Sequence, residues 1–182
     1  TTLIDLEAGT QLAHYFAGPQ QAVVLLSSSG GYGFLASVEN LVSRNKGGKG
    51  FINVGEGETV CRPSLVSAGT TPTAAEAQAL AAATHVCCAS TGGRVLTFPI
   101  GELKQMDKGG RGLMLLDLEA KDSLAGAAAY TRSVRIVGVG RGGKDREETL
   151  EIRSLNNAGA ARGRKGRAAD LGFKPTDVIR VL

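Results

Sequence analysis

Apolar residues along this chain come in short runs separated by small polar ones. QAVVLLSS (21–28), YGFLAS (32–37), HVCCAS (85–90), RVLTFPI (94–100), GLMLLDL (112–118), SVRIVGV (133–139) and TLEIRSL (149–155) are rich in aliphatic and β-branched types. Gly, Asn and Ser bound them, a pattern that predicts strands. The opening TLIDL (2–6) reads the same way. Gly30–Gly31 and Gly92–Gly93 each fall between two runs, where a tight hairpin needs a residue of positive φ. One segment breaks the pattern: PTAAEAQALAAAT (72–84) is alanine-rich, and Thr73 and Glu76 have the spacing of a helix capping box. It reads as an insertion, a short helix or mobile loop, covering 69–84. The expected fold class is therefore all-β.

The runs repeat. SSGGYGFLASVENLVSRNKGGKGFINV from Ser28 matches STGGRVLTFPIGELKQMDKGGRGLMLLDL from Ser90 without a gap. Gly30, Gly31, Leu41 and the KGGKG at 46–50 each find their counterpart 62 positions on. A weaker third copy puts RGRKG (162–166) in the place of KGGRG (108–112), 54 residues later. LIDL at 3–6 mirrors LLDL at 115–118 and reads as the tail of a preceding unit. Hairpin-built units of this size point to propeller-like blades. The expected organisation is a partial blade at 1–7 and blades over about 8–68, 80–124 and 125–182. Because the chain does not begin with Met and already opens in a strand-like run, it is expected to be a piece of a longer polypeptide.

Composition narrows the function. The 182 residues are 42% hydrophobic and 21% charged, as in a soluble globular protein, and no run reaches the ~18 apolar residues of a membrane helix. With no recognisable signal peptide, a cytoplasmic location is expected. Glycine, at 26 residues, is about twice its usual share of roughly 7%. Cys61, Cys87 and Cys88 fit neither a disulfide framework nor a CxxC metal site and read as reduced, buried thiols. His14 and His85 read as strand-face residues, and Tyr15, Tyr32 and Tyr130 fall in strand-like runs. No catalytic or metal-binding residue is assigned.

The net charge of +4 is unevenly spread. Residues 1–43 contain no Lys or Arg, whereas 125–167 carry ten basic against four acidic residues, a concentration that suits a polyanionic partner. GVGRGGKD (138–145) satisfies the G-x-x-x-x-G-K pattern, but Asp145 stands where a phosphate loop needs Ser or Thr. REETLEIR after it alternates like a strand, so a glycine-rich hairpin turn is the better reading. The basic glycine turns remain: Arg44, Lys46, Lys49, Lys108, Arg111, Arg164, Lys165 and Arg167 would line one rim if successive units stack in register. Glycine beside each charge lets backbone N–H groups approach an oxyanion. Aromatic residues make up 4% with no Trp, which disfavours base stacking on single strands and favours duplex DNA held by its phosphates.

GYGF (31–34), LVSRNKGGKGFINV (41–54), GRVLTFPIGEL (93–103), KGGRG (108–112) and TLEIRSLNNAGAARGRKGR (149–167), in that order, resemble the C-terminal domain of the ParC family, the A subunit of bacterial topoisomerase IV. The likeness covers nearly the whole chain. It implies a β-pinwheel, a propeller-like ring or open spiral of strand-exchanging blades, here an incomplete ring. It further implies a cytoplasmic, nucleoid-associated domain without enzymatic activity of its own. Such a domain binds and bends duplex DNA and presents a transport segment to the catalytic core of an ATP-dependent type IIA topoisomerase that relaxes and decatenates DNA. The resemblance implies no cofactor in this stretch, with ATP and Mg held elsewhere. Its implied partners, besides duplex DNA, are the catalytic core of the same polypeptide and the ATPase subunit. By that analogy the basic turn residues of 44–50, 108–111 and 162–167 are the DNA contacts, with Arg94 and Arg132 added as weaker candidates that read equally as solvated turn charges. Arg132 stands where the third unit's hairpin is expected to turn. The related gyrase signature Q-R-R-G-G-K-G is matched only in part by Arg44-Asn45-Lys46-Gly47-Gly48-Lys49-Gly50, which points to topoisomerase IV rather than gyrase. A gyrase-type wrapping domain and a propeller-like protein-interaction module stay open as alternatives.

Overall fold

The computed structural model describes residues 8–69, 73–156 and 158–181. The expected partial unit at 1–7 lies outside them. The hairpins form where the glycine pairs predict. β1 (Val23–Ser27) and β2 (Tyr32–Ser37) pair antiparallel, as do β4 (His85–Ser90) and β5 (Arg94–Pro99). Gly31 and Gly93 take φ of 84° and 86°, and each donates its N–H to a carbonyl three residues back, Ser28 and Ser90. A side chain would strain that backbone.

Three sheets result, with strand orders β3-β1-β2-β6, β10-β5-β4-β7 and β11-β8-β9. β3 is Ser64–Ser67, β6 Leu113–Met114, β7 Leu124–Tyr130, β8 Ser133–Gly140, β9 Asp145–Glu151, β10 Arg167–Ala168 and β11 Phe173–Arg180. The sheets do not follow the unit boundaries expected from the repeat. After completing the second hairpin the chain returns to add β6 to β2, and after the third it returns to add β10 to β5. Two sheets thus receive their last strand from the following unit. Among the described residues β9 receives none, and no strand pairing closes the sheets into a ring.

Packing explains why the central strands are apolar on both sides. Successive residues of β4 face opposite ways. Val86 and Cys88 join Leu25, Leu96, Phe98, Leu115 and Leu116 in one core. Cys87 and Ala89 join Val95, Tyr130, Val134, Ile136 and Val178 in another. The adjacent cysteines therefore belong to different cores. All three thiols are free, and burial pushes Cys61 up to about 11 and Cys87 up to about 12. β3, β7 and β11, each at one edge of its sheet, approach one another. There Ala129 N–H donates to Ser64 Oγ at 3.1 Å, and Arg62 meets Asp177 at 2.6 Å. β6 and β10 lie at the opposite, outer edges of their sheets.

The structure departs from the sequence reading at several points. TLEIRSL is a strand only to Glu151, and Ile152–Asn156 form a short helix that buries Leu155. Tyr15 and His14 lie in irregular, exposed chain rather than strands. The insertion contains a helix, Ala74–Ala83, with the Thr73–Glu76 capping box formed. Arg132 does not mark a hairpin: it links β7 to β8, which belong to different sheets. The third hairpin turns instead at 141–144, between β8 and β9, so the phosphate-loop pattern there is a hairpin followed by a strand.

Candidate nucleic-acid interface

The three basic glycine turns are fastened to one another by backbone hydrogen bonds. Gly110, in the second turn, donates to Phe51 O at 2.8 Å and accepts from Asn53 N–H at 2.9 Å, immediately after the first turn. Gly163 and Arg164, in the third, donate to Leu115 O at 2.9 Å and accept from Asp117 N–H at 3.0 Å, just after the second. Short parallel bridges, Ile52 with Gly110 and Leu116 with Arg164, repeat the same joint. The second and third turns lead directly into the outer-edge strands β6 and β10, so the row runs along the periphery.

Glycine is required where the joints are tight. Gly109 has φ of 72°, and a methyl group there would collide with the Phe51 carbonyl. Gly166, at φ 69°, would press a methyl group against Val95 O at 2.6 Å. The close approach of neighbouring backbones thus accounts for the repeated glycines.

The cations themselves differ in freedom. Arg44, Lys46, Lys108, Arg164, Lys165 and Arg167 are exposed, and among the described residues no ion pair or side-chain hydrogen bond engages them. Lys49 Nζ lies 5.4 Å from the centroid of the Phe51 ring. Arg111 is held: its guanidinium stacks 4.4 Å over the Tyr32 ring and meets Glu58 at 2.7 Å. Glu58 is kept below the usual carboxylate range by the Gly55 N–H it accepts, opposed by partial burial and helped by Ser28 and Arg111. Arg94 is held as well, by Glu119 at 2.6 Å and the Gly166 carbonyl at 3.3 Å. Arg132 is exposed but outside the row. Tyr130, two residues before it, pairs with His85, at the opposite end of the second sheet from turn 91–93.

Arg162 opens the third basic turn, whereas Arg141, Lys144 and Arg146 escaped the sequence reading as candidate contacts. Arg162 is drawn inward, donating to Met114 O at 2.6 Å. Arg141, Lys144 and Arg146 stand exposed on and beside the third hairpin turn. The signal for the latter was the glycine pair at 142–143, which matches Gly30–Gly31 and Gly92–Gly93 at a shorter spacing. Among the described residues no group of three or more His, Cys, Asp or Glu could hold a metal ion, and no helix is long and apolar enough to cross a membrane.

Comparison with known proteins adds an independent line. Residues 22–60 and 84–130 match the family described as DNA gyrase C-terminal domain, beta-propeller. The A subunit of DNA topoisomerase 4 from Neisseria gonorrhoeae is 34% identical over 168 residues, covering 92% of this chain and 20% of that protein. Its counterpart from Haemophilus influenzae is 27% identical over 186 residues, covering 100% of this chain and 23% of that protein. The chain thus spans about a fifth of the length of the curated relatives it matches. Among solved structures, the E. coli ParC C-terminal domain superposes with a TM-score of 0.75 at 24% identity, covering 97% of this chain and 67% of that one. A DNA gyrase A C-terminal domain gives 0.71 at 15% identity, covering 99% and 57%. At those identities the structural likeness speaks for the fold: an all-β arrangement related to these domains.

Proposed function

The chain belongs to the family of ParC C-terminal domains of bacterial topoisomerase IV, homologous to that of gyrase A, and from this premise we propose that it is a duplex-DNA-binding and DNA-bending accessory domain. The observation that carries the reading is the row of three basic glycine turns joined by backbone hydrogen bonds along the outer edge of the sheets. Such a row offers cations at intervals to a long, regularly charged rod. Duplex phosphates supply that rod, and each one neutralised releases counterions.

In this proposal Arg44, Lys46, Lys49, Lys108, Arg164, Lys165 and Arg167 meet phosphates. Arg94 and Arg111, tied to Glu119 and Glu58, set the position of the turns. The three sheets act as blades of an open pinwheel, locked together by the exchanged strands β6 and β10. Curvature of their outer edge would bend the bound duplex and present it as the transport segment to the catalytic core. In that reading the domain is a non-catalytic part of an ATP-dependent type IIA topoisomerase, working in the cytoplasm at the nucleoid.

The test is binding of the chain to duplexes of increasing length across a salt series, with a fluorescence pair on the DNA ends. The expected result is affinity that rises with length, a log–log salt slope of about −0.9 per phosphate contacted, and ends drawn together on binding. Length-independent affinity with unbent ends would overturn the proposal.

A further inference from the structure

The three hairpins share one turn. Ser28–Gly31, Ser90–Gly93 and Gly140–Gly143 each close with a bond from the last glycine to the first residue's carbonyl, at 3.0, 3.0 and 2.9 Å. Gly31, Gly93 and Gly143 have φ of 84°, 86° and 72°. In the first two turns a carboxylate folds onto this backbone. Asp122 accepts from Gly92 N–H and Thr91 Oγ, each at 2.8 Å. Glu58 accepts from Ser28 Oγ at 3.2 Å and lies against Gly30, where a methyl group would run into it.

Strand register identifies the source of these acids. Ser28 pairs with Val60 and Ser90 with Leu124, and the carboxylate stands two residues before the pairing partner each time. In the third hairpin Gly140 pairs with Phe173, and two residues before it stands Leu171, buried in the core. No incoming acid folds onto Gly142, where a methyl group would find nothing within 4 Å, and the acid nearest the turn in sequence is Asp145, exposed at the start of β9. The turn is instead flanked by Arg141, Lys144 and Arg146, exposed and without ionic partners among the described residues. They border a cleft of about 480 Å³ that also takes in Glu147 and Glu148. Glu147 is drawn towards Arg135 at 3.5 Å.

We propose that the β8–β9 turn is an oxyanion site for a backbone phosphate of duplex DNA, which takes the place that Glu58 and Asp122 fill in the sister turns. The inference rests on the DNA-binding reading above and adds a contact on the third sheet. Beside the first two turns, incoming strands bring Arg111 to Tyr32 and Arg167 to Val95. β9 receives no such strand among the described residues, and the hairpin's own Arg141, Lys144 and Arg146 supply the charge there. A strand, not a helix, follows the turn, so no helix N-terminus adds to the site and a nucleotide cradle does not form.

The experiment compares duplex binding of the unaltered chain with Arg141→Ala/Lys144→Ala, with Gly142→Asp, and with Arg44→Ala/Lys46→Ala on the first basic turn. Thermal unfolding of each variant is followed alongside. Gly142→Asp puts a carboxylate back where there is room for one. The expected result for both turn variants is unchanged melting, affinity about 5–10-fold weaker, and a salt slope shallower by about 0.9 for each phosphate no longer neutralised. Full affinity in folded turn variants, with Arg44→Ala/Lys46→Ala weakened, would overturn this site and leave the DNA reading standing. A salt-insensitive parent that no variant affects would sink both. Amide resonances of Gly142 and Gly143 are also followed with inorganic phosphate and with a short duplex. Movement with the free ion alone would assign the turn to a small anion and overturn the DNA assignment.

Discussion

The turns at 46–50 and 108–112 differ by one exchange, Lys49 for Arg111, yet the fold treats them differently. The first is open: a methyl group on Gly47, Gly48 or Gly50 would meet nothing within 4 Å. The second is wedged between neighbours. Gly109 lies against Phe51, Gly112 against Gly33, and Arg111 between Tyr32 and Glu58. The same motif therefore does two jobs. At 46–50 it presents its cations on an open turn, and at 108–112 it also fastens one unit to the one before, with Arg111 clamped and Lys108 left exposed.

The largest expected effect separates the two glycines that share a position in the motif. Gly109→Ala would force a side chain onto a backbone of φ 72° and into the Phe51 carbonyl, costing about 2–4 kcal/mol in unfolding free energy. Gly47→Ala, in open space and without positive φ, should stay within about 0.5 kcal/mol of the parent. Urea unfolding measures both. Equal losses would mean that the second turn is no more tightly held than the first.

This asymmetry marks where the sequence was legible and where it was not. Hairpin turns could be read because Gly31 and Gly93 are local requirements of a three-residue turn. β7, LAGAAAY, could not, because its small residues answer to a neighbour: a methyl group on Gly126 would stand 2.7 Å from Val178 N. Strand propensity ranks alanine low, and tertiary packing overrides it here. β11 hid behind Pro175, which sits at a register shift against β8, where a proline is tolerated. Arg132 was misplaced because it directly precedes the run SVRIVGV, which forms the strand before the third hairpin turn and not the one after it, so that Gly143 repeats Gly93. The basic turns were visible as charge. That Arg111 is answered by Glu58 was not, since the pair is 53 residues apart in sequence.

The next effect is on binding. Lys46→Ala/Lys49→Ala is expected to weaken duplex affinity about 5–10-fold and to make the salt slope shallower by about 1.8, as for two phosphates. Arg111→Ala should change affinity less than about threefold and instead lower stability by about 0.5–1.5 kcal/mol, through removal of the stacked guanidinium and of a half-exposed ion pair. Reversing all three charges at once would mix these effects, since a carboxylate at 111 would face Glu58. A larger affinity loss for Arg111→Ala than for the lysine pair, with stability intact, would reverse the assignment of roles.

The smallest effect lies in the acid limb of stability. Glu58 titrates below its ordinary value in the folded chain, chiefly because Gly55 N–H donates to its carboxylate and with Ser28 and Arg111 adding to this against partial burial. A group whose pKa is lower folded than unfolded stabilises the fold above its unfolded value, about 4.3 for Glu, and loses that contribution as pH falls through the folded value. Glu58→Gln keeps an acceptor oxygen for Gly55 but has no proton to gain. Its urea midpoint should therefore fall less than the parent's between about pH 6 and pH 2.5, while Asp122, held low by Ser90, Thr91, Gly92 and Ser123 against burial, keeps its share in both. Parallel acid limbs would show that the Arg111 clamp draws nothing from ionisation of Glu58. In that case the difference between the two basic turns would rest on backbone fit and the Tyr32 ring alone.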